Sequence, residues 1–226
     1  MEVLEKALKK KSQSLSEYDS KRVLYEYGIP VTKERLAKGQ KDAVAAAEEI
    51  GYPVVIKATG PDLTHKTEMD AIRLGLSDAK SVRQAVRELK EATKGQKIQG
   101  LLVQEMVKGQ RELVAGLVRD PQFGPCVMFG LGGIYTEILR DVSFRVAPLT
   151  EQDALEMMDE IRGKKILESF RGMGAADRKV LAEALVAMGR IGMDQEEVSE
   201  IDVNPLILTK EGRPVAVDAL VVLGEK

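Results

Sequence analysis

A lysine closes an otherwise apolar strand in this sequence, Pro53-Val54-Val55-Ile56-Lys57. A charge among apolar neighbours costs free energy unless something negative meets it. The fold must therefore bring an anion to Lys57, either phosphate oxygens or an acid such as Asp62. A polar loop follows and carries the only histidine, His65, before a second strand, Ala71–Leu76. Its neighbours Asp62, Thr64, Lys66, Thr67 and Glu68 speak against a core role for the imidazole. Two readings stay open for it, a solvated surface histidine or a nucleophile and proton carrier.

Composition narrows the field. At 226 residues the chain is long enough for one sizeable domain or two small ones. With 44% hydrophobic and 31% charged residues it reads as globular. A formal net charge of −2 supplies no basic field for nucleic acid. No apolar run approaches the roughly 20 residues of a membrane span, and the start Met1-Glu2-Val3-Leu4 lacks a secretory pattern. A single cysteine, Cys126, excludes an internal disulfide, and with one histidine it excludes a structural zinc site. The expectation is a cytoplasmic protein with no membrane and no nucleic-acid partner.

Local signals place the elements. Ser16-Glu17-Tyr18-Asp19 reads as a capped helix start, and Gly28 with Pro30 ends that helix. Val31–Ala37 reads as a strand and Asp42–Ile50 as an Ala-rich helix. Ser77 is expected to cap a helix over Asp78–Thr93 whose buried face is Val82, Ala85, Val86 and Leu89. Leu101–Met106 closes this half as a strand, and Lys108-Gly109-Gln110 is a turn. Strands follow at Glu112–Val118, from Cys126 into Gly130, at Ile134–Leu139 and at Ser143–Ala147. Thr150 opens a helix to about Ile161, and another runs from about Ala175 to Ile191, with Met157, Met158 and Met188 as core candidates. Two strands end the chain, Val198–Thr209 and Pro214–Val222. The expected class is α/β in two lobes, residues 29–106 against residues 1–28 plus 107–226.

The terminal hairpin carries the sharpest geometry. A three-residue turn at Lys210–Gly212 sets a register with Asn204 opposite Asp218 and Asp202 on the same face. Leu206, Leu208, Ala216 and Leu220 surround this polar island. Two carboxylates and an amide form an oxygen-only donor set that suits Mg²⁺; the other reading is a solvated edge hairpin. Glu105 and Glu112 flank the turn between the two halves, where an interlobe ligand would bind; the other reading of each is an ordinary surface or salt-bridge residue. Gly130-Leu131-Gly132-Gly133 either lets backbone N–H groups approach an anion or another chain, or forms a turn that needs positive φ. Cys126, in an apolar strand, reads as a packed small hydrophobe.

Taken together these stretches resemble a known family. Ser16–Lys21 with Tyr27-Gly28-Ile29-Pro30, Pro53–Lys57, Phe123-Gly124-Pro125, Met128–Ile134, Asp141–Arg145 and Glu200–Leu206 are similar, in this order, to the nucleotide-binding half of the ADP-forming acyl-CoA synthetases. These are relatives of succinyl-CoA synthetase with an ATP-grasp fold. The likeness covers residues 15–222, and the length matches a free-standing β chain whose CoA-binding half is a separate α subunit. The resemblance implies two α/β lobes with the nucleotide between them. By the same resemblance Lys57 holds ATP phosphates, Glu105, Met106 and Val107 bind adenine and ribose, and Glu112 also sits at the nucleotide. Asn204 and Asp218, with Asp202, would hold Mg²⁺. His65 would be a phosphohistidine that relays phosphate between the α subunit and ADP.

One departure stands out: Asp70-Ala71 replaces a Gly-Gly pair that many members carry after the histidine loop. Arg145 and Glu137 lie in the family-like segment without an assigned step. The implied reaction is acyl-CoA + ADP + phosphate ⇌ acid + CoA + ATP, in an α2β2 assembly with ATP/ADP and Mg²⁺ as cofactors. Two other readings remain: a carboxylate ligase working through a free acyl phosphate, and a nucleotide-binding regulatory module without chemistry.

Overall fold

The structure, a computed structural model, describes residues 1–60, 71–133 and 140–224. His65 with its loop, Asp62, Asp70, Glu137 and the expected strand Ile134–Leu139 lie outside the described residues. The chain divides into two compact units. One comprises Ser14–Asp19 and Thr32–Met106; the other comprises Met1–Gln13, Ser20–Val31 and Val107–Lys226.

The smaller unit is built on a four-stranded antiparallel sheet. Its strands are β1 (Glu34–Ala37), β2 (Val54–Thr59), β3 (Ile72–Leu76) and β4 (Gly100–Glu105), in the order β1-β4-β2-β3. Two helices pack on it, α3 (Gln40–Ile50) and α4 (Ala79–Ala92). Val82, Ala85, Val86 and Leu89 are all buried, meeting Ala43, Ala47, Val54, Ile56 and Val103 in one core. The period-3.6 stripe of α4 therefore found its sheet. Its cap is Asp78, not Ser77: the Asp78 carboxylate accepts from the Ser81 N–H at 2.7 Å, and the Ser81 hydroxyl completes the reciprocal pair.

The larger unit holds a six-stranded antiparallel sheet. It comprises β5 (Arg111–Asp120), β6 (Gly124–Leu131), β7 (Val142–Val146), β8 (Val198–Leu208), β9 (Pro214–Ala216) and β10 (Leu220–Leu223). The order is β10-β8-β5-β6-β7, with β9 also paired to β8. Helices α5 (Glu151–Glu160) and α6 (Arg178–Asp194) pack against β5, β6 and β7 and bury Met157, Met158 and Met188. Thr150 and Asp153 form the expected reciprocal cap of α5. The chain begins with α1 (Glu2–Lys9), and α2 (Glu17–Glu26) follows. Among the described residues no helix is long and apolar enough to cross a membrane.

Four expectations are corrected by long-range bonding. Val31 is not part of the strand before Ala37; it bridges Ala216, and Pro30 accepts the Ala216 N–H at 2.8 Å, so residues 29–31 group with the larger unit. Residues 14–19 group with the smaller unit, where Glu17 meets Lys57 and Asp19 accepts from Gln99 at 2.9 Å. Helix α6 starts at Arg178 and not near Ala175, because the Ala176 and Asp177 N–H groups donate to Leu167 and Gly212. The last strand is two strands, broken over 217–219.

Candidate functional site

Lys57 sits in β2, all six residues of which are buried, between Ile72 of β3 and Leu102 of β4. The strand runs two residues past it to Thr59, so the lysine is further inside the sheet than a strand terminus. Its ammonium donates to Glu17 Oε1 at 2.8 Å, and the two side chains are only 5% and 0% exposed. The required anion is thus Glu17, 40 residues away in sequence. A capped helix start presents it: the Ser16 hydroxyl accepts from the Asp19 N–H at 3.2 Å, and a carboxylate in a helix's first turn is favoured by the helix dipole.

At the end of β4, the Glu105 carboxylate accepts from the Lys33 N–H at 2.8 Å, while its own N–H donates to Lys33 O. The Met106 side chain is exposed and its N–H reaches Pro53 O. Val107 begins the chain's return to the larger unit and is half-buried.

Glu112 lies in β5 opposite Ile207. The glycine-rich turn shapes its surroundings. The Gly132 N–H donates to Glu112 O at 2.8 Å, so it is spent inside the sheet and not presented to an anion. Gly133 has φ +63°, and a Cβ there would lie 2.6 Å from Glu112 Oε2. Gly133 thus has the backbone conformation of a turn that demands glycine. The neighbouring Asp141 carboxylate, which the sequence reading left without a role, accepts from the Arg162 and Gly163 N–H groups at 2.7 and 2.6 Å and ties off the end of α5.

The terminal hairpin has the expected register. Leu206 faces Ala216 on one side of the break, and Asp202 faces Leu220 on the other. Counting along both strands brings Asn204 level with Asp218, inside the segment where β9 and β10 separate. There the Val217 N–H donates to Pro205 O. The buried Lys21 ammonium donates to Val217 O at 3.2 Å, and the Ser20 hydroxyl accepts from the Val221 N–H. The Ser20-Lys21 pair of α2 therefore fixes both flanks of Asp218.

Asp202 is half-buried, and its carboxyl is pushed up to about 6, first by burial and then by the charges of Glu200 and Asp218. Among the described residues no group of three or more His, Cys, Asp or Glu side chains forms a metal cluster. Any cation here would rely on the Asn204 amide beside the carboxylates. That all-oxygen set fits Mg²⁺, and the mutual repulsion felt by Asp202 is what a divalent cation relieves.

Two further features complete the larger unit. A cavity of about 300 Å³, lined by Lys108, Gln110, Arg171 and Lys210 among others, contains none of the predicted site residues. Cys126 is half-buried, and its thiol is pushed up by burial and then by Asp120, in keeping with a packing role.

Residues 6–223 match the family model described as ATP-grasp domain. The chain is 41% identical, over 98% of its length and 97% of the relative's, to acetate–CoA ligase (ADP-forming) I subunit beta of Pyrococcus furiosus. It is equally identical over 90% of its length to acetate–CoA ligase (ADP-forming) I of Archaeoglobus fulgidus, but spans only 30% of that longer protein. Its backbone matches acetyl-coenzyme A synthetase 1 of Ca. Korarchaeum cryptofilum, with a TM-score of 0.94, 45% identity and 99% of both chains covered. A second structure of that protein, at TM-score 0.88 and 44% identity over the same share of both chains, holds coenzyme A and Mg-AMPPCP. Its phosphohistidine segment is described as pointing towards the nucleotide binding site.

Proposed function

From the premise that this chain belongs to the ATP-grasp family, and within it to the β subunits of the ADP-forming acetate–CoA ligases, we propose how it works. It is the nucleotide-binding subunit of such a ligase. Its half-reaction is the exchange of a phosphoryl group between ADP and a histidine, His65, within acyl-CoA + ADP + phosphate ⇌ acid + CoA + ATP. The CoA-binding half would reside on a companion α chain in an α2β2 assembly. The observation that carries this reading is the match over 99% of both chains to a relative solved with coenzyme A and an ATP analogue.

The residues divide the work by charge. Lys57 would meet nucleotide phosphate oxygens with an ammonium already ordered in a rigid strand. Glu105, Met106 and Val107 would receive adenine and ribose, with Glu112 at the nucleotide. Asn204, Asp218 and Asp202 would hold Mg²⁺, which when bound neutralises phosphate charge. Phosphoryl transfer needs little from a protein beyond such positioning and charge compensation. His65 supplies the nucleophile: near its ordinary pKa of about 6.5 an imidazole is substantially neutral at physiological pH. In the ATP-forming direction its P–N bond breaks as a P–O bond forms to the terminal phosphate of ADP.

The test is to incubate the purified chain with Mg-ATP, alone and with its α partner, and map acid-labile, base-stable phosphate by mass. Label on His65 that disappears in His65→Ala is the expected result. No label under either condition would replace the relay with a free acyl-phosphate ligase or a regulatory nucleotide sensor.

A further inference from the structure

Lys57 is buried in the middle of a sheet, and a cation so placed tends to lose its proton or swing towards solvent unless a counter-charge holds it. Glu17 is that counter-charge, at 2.8 Å and wholly buried. Both partners are fixed from outside the pair. Lys57 is clamped between β3 and β4, and the Glu17 turn is held by the Ser16 cap and by the Gln99 amide on Asp19. An ammonium has three donor hydrogens, and Glu17 takes one of them, which selects the rotamer of a side chain that otherwise has several.

We infer that Glu17 is the positioning residue of Lys57: it keeps the ammonium charged and aimed, so that the lysine meets a nucleotide phosphate without first having to be ordered. The inference rests on the reading of Lys57 as the phosphate-binding lysine. Glu17 itself touches no substrate in this account and acts only through Lys57. A purely structural ion pair would leave nucleotide affinity untouched once the protein is folded; a positioning pair would not.

The measurement is the dissociation constant of Mg-AMPPCP for the full chain by titration calorimetry, in a cycle of Glu17→Gln, Lys57→Met and the double variant, with melting curves run alongside. Charge-assisted hydrogen bonds of this kind set the scale, so E17Q is expected to weaken binding by about 10-fold and K57M by about 100-fold. The double variant should bind like K57M alone, because Glu17 has nothing left to position. Folded E17Q with native affinity, or two losses that multiply, would overturn the inference. Native affinity in K57M would instead remove the role of Lys57 itself, a separate failure.

Should a single variant not fold, Glu17→Asp and the apolar pair Glu17→Leu/Lys57→Met replace it. The shorter carboxylate is expected to bind about 3-fold more weakly than native, and the pair about 100-fold more weakly. Native affinity in E17D counts against the proposal, whereas native affinity in the apolar pair would again remove the role of Lys57 itself.

Discussion

The two charged centres of this chain solve opposite problems. In the smaller unit the cation Lys57 carries its own counter-ion, Glu17, and both are buried. In the larger unit the Asp202 carboxyl is pushed up to about 6, first by burial and then by the like charges of Glu200 and Asp218. The first centre is electrostatically complete before any ligand arrives. The second holds like charges close together, and a bound cation would relieve that frustration. Under the proposed function, a protein that holds a nucleotide polyphosphate with its metal would gain from this asymmetry. On the proposed reading the lysine would be preorganised for phosphate and the acids would be available to Mg²⁺.

Breaking the complete centre should have the larger effect. Lys57→Met removes the ammonium from the buried Glu17 carboxylate, and truncating one partner of a buried ion pair costs about 3–5 kcal/mol of stability. Denaturant unfolding is the measurement. Replacing both partners, Glu17→Leu with Lys57→Met, should recover most of that loss, because a buried pair is often no more stabilising than an apolar one of similar volume. A double variant as unstable as K57M would mean that the pair does not act as a unit.

At the frustrated centre the expected defect lies in ligand binding and not in folding. Asp218→Asn or Asn204→Ala should weaken Mg²⁺-dependent nucleotide binding by about 10- to 100-fold, roughly 1.4–2.7 kcal/mol. Melting temperatures without metal should change little. Calorimetry of Mg-AMPPCP against metal-free AMPPCP separates the two quantities. Equal losses with and without Mg²⁺ would take the hairpin out of the metal site.

The same contrast explains what the sequence disclosed. The hairpin register was legible because Lys210–Gly212 is a local turn, and local turns set pairing without help from the rest of the fold. Capping pairs such as Thr150 with Asp153 were legible for the same reason. The demand for an anion at Lys57 was also readable, but not its source. Glu17 lies 40 residues upstream, and its sequence neighbourhood announces only a helix start. The strand break at 217–219 was hidden likewise. Val217, Ala219 and Val221 alternate as one strand would, and the interruption is held by hydrogen bonds to Ser20 and Lys21, which lie 201 and 196 residues away from Val221 and Val217 in the sequence. The glycine turn was ambiguous until the Gly132 N–H was found bonded to Glu112 O.

Asp202 offers the cleanest signature of frustration. Its carboxyl stands at about 6 in the folded chain, whereas an unfolded aspartate titrates near 3.9. Below pH 4 both states hold the proton and the group adds no pH dependence. Between about pH 4 and 6 the unfolded state has released its proton while the folded state retains it, so stability falls as pH rises, and it levels off above the folded value. The total, discounted for partial solvent screening, is on the order of 2 kcal/mol. Unfolding measured from pH 4 to 7.5 without metal should show this decline, and Asp202→Asn should flatten it. Millimolar Mg²⁺ should flatten it as well, because a cation bound to the ionised cluster replaces the proton as the compensating charge. A decline that persists unchanged in D202N would place its origin in other groups and leave Asp202 an ordinary half-buried acid.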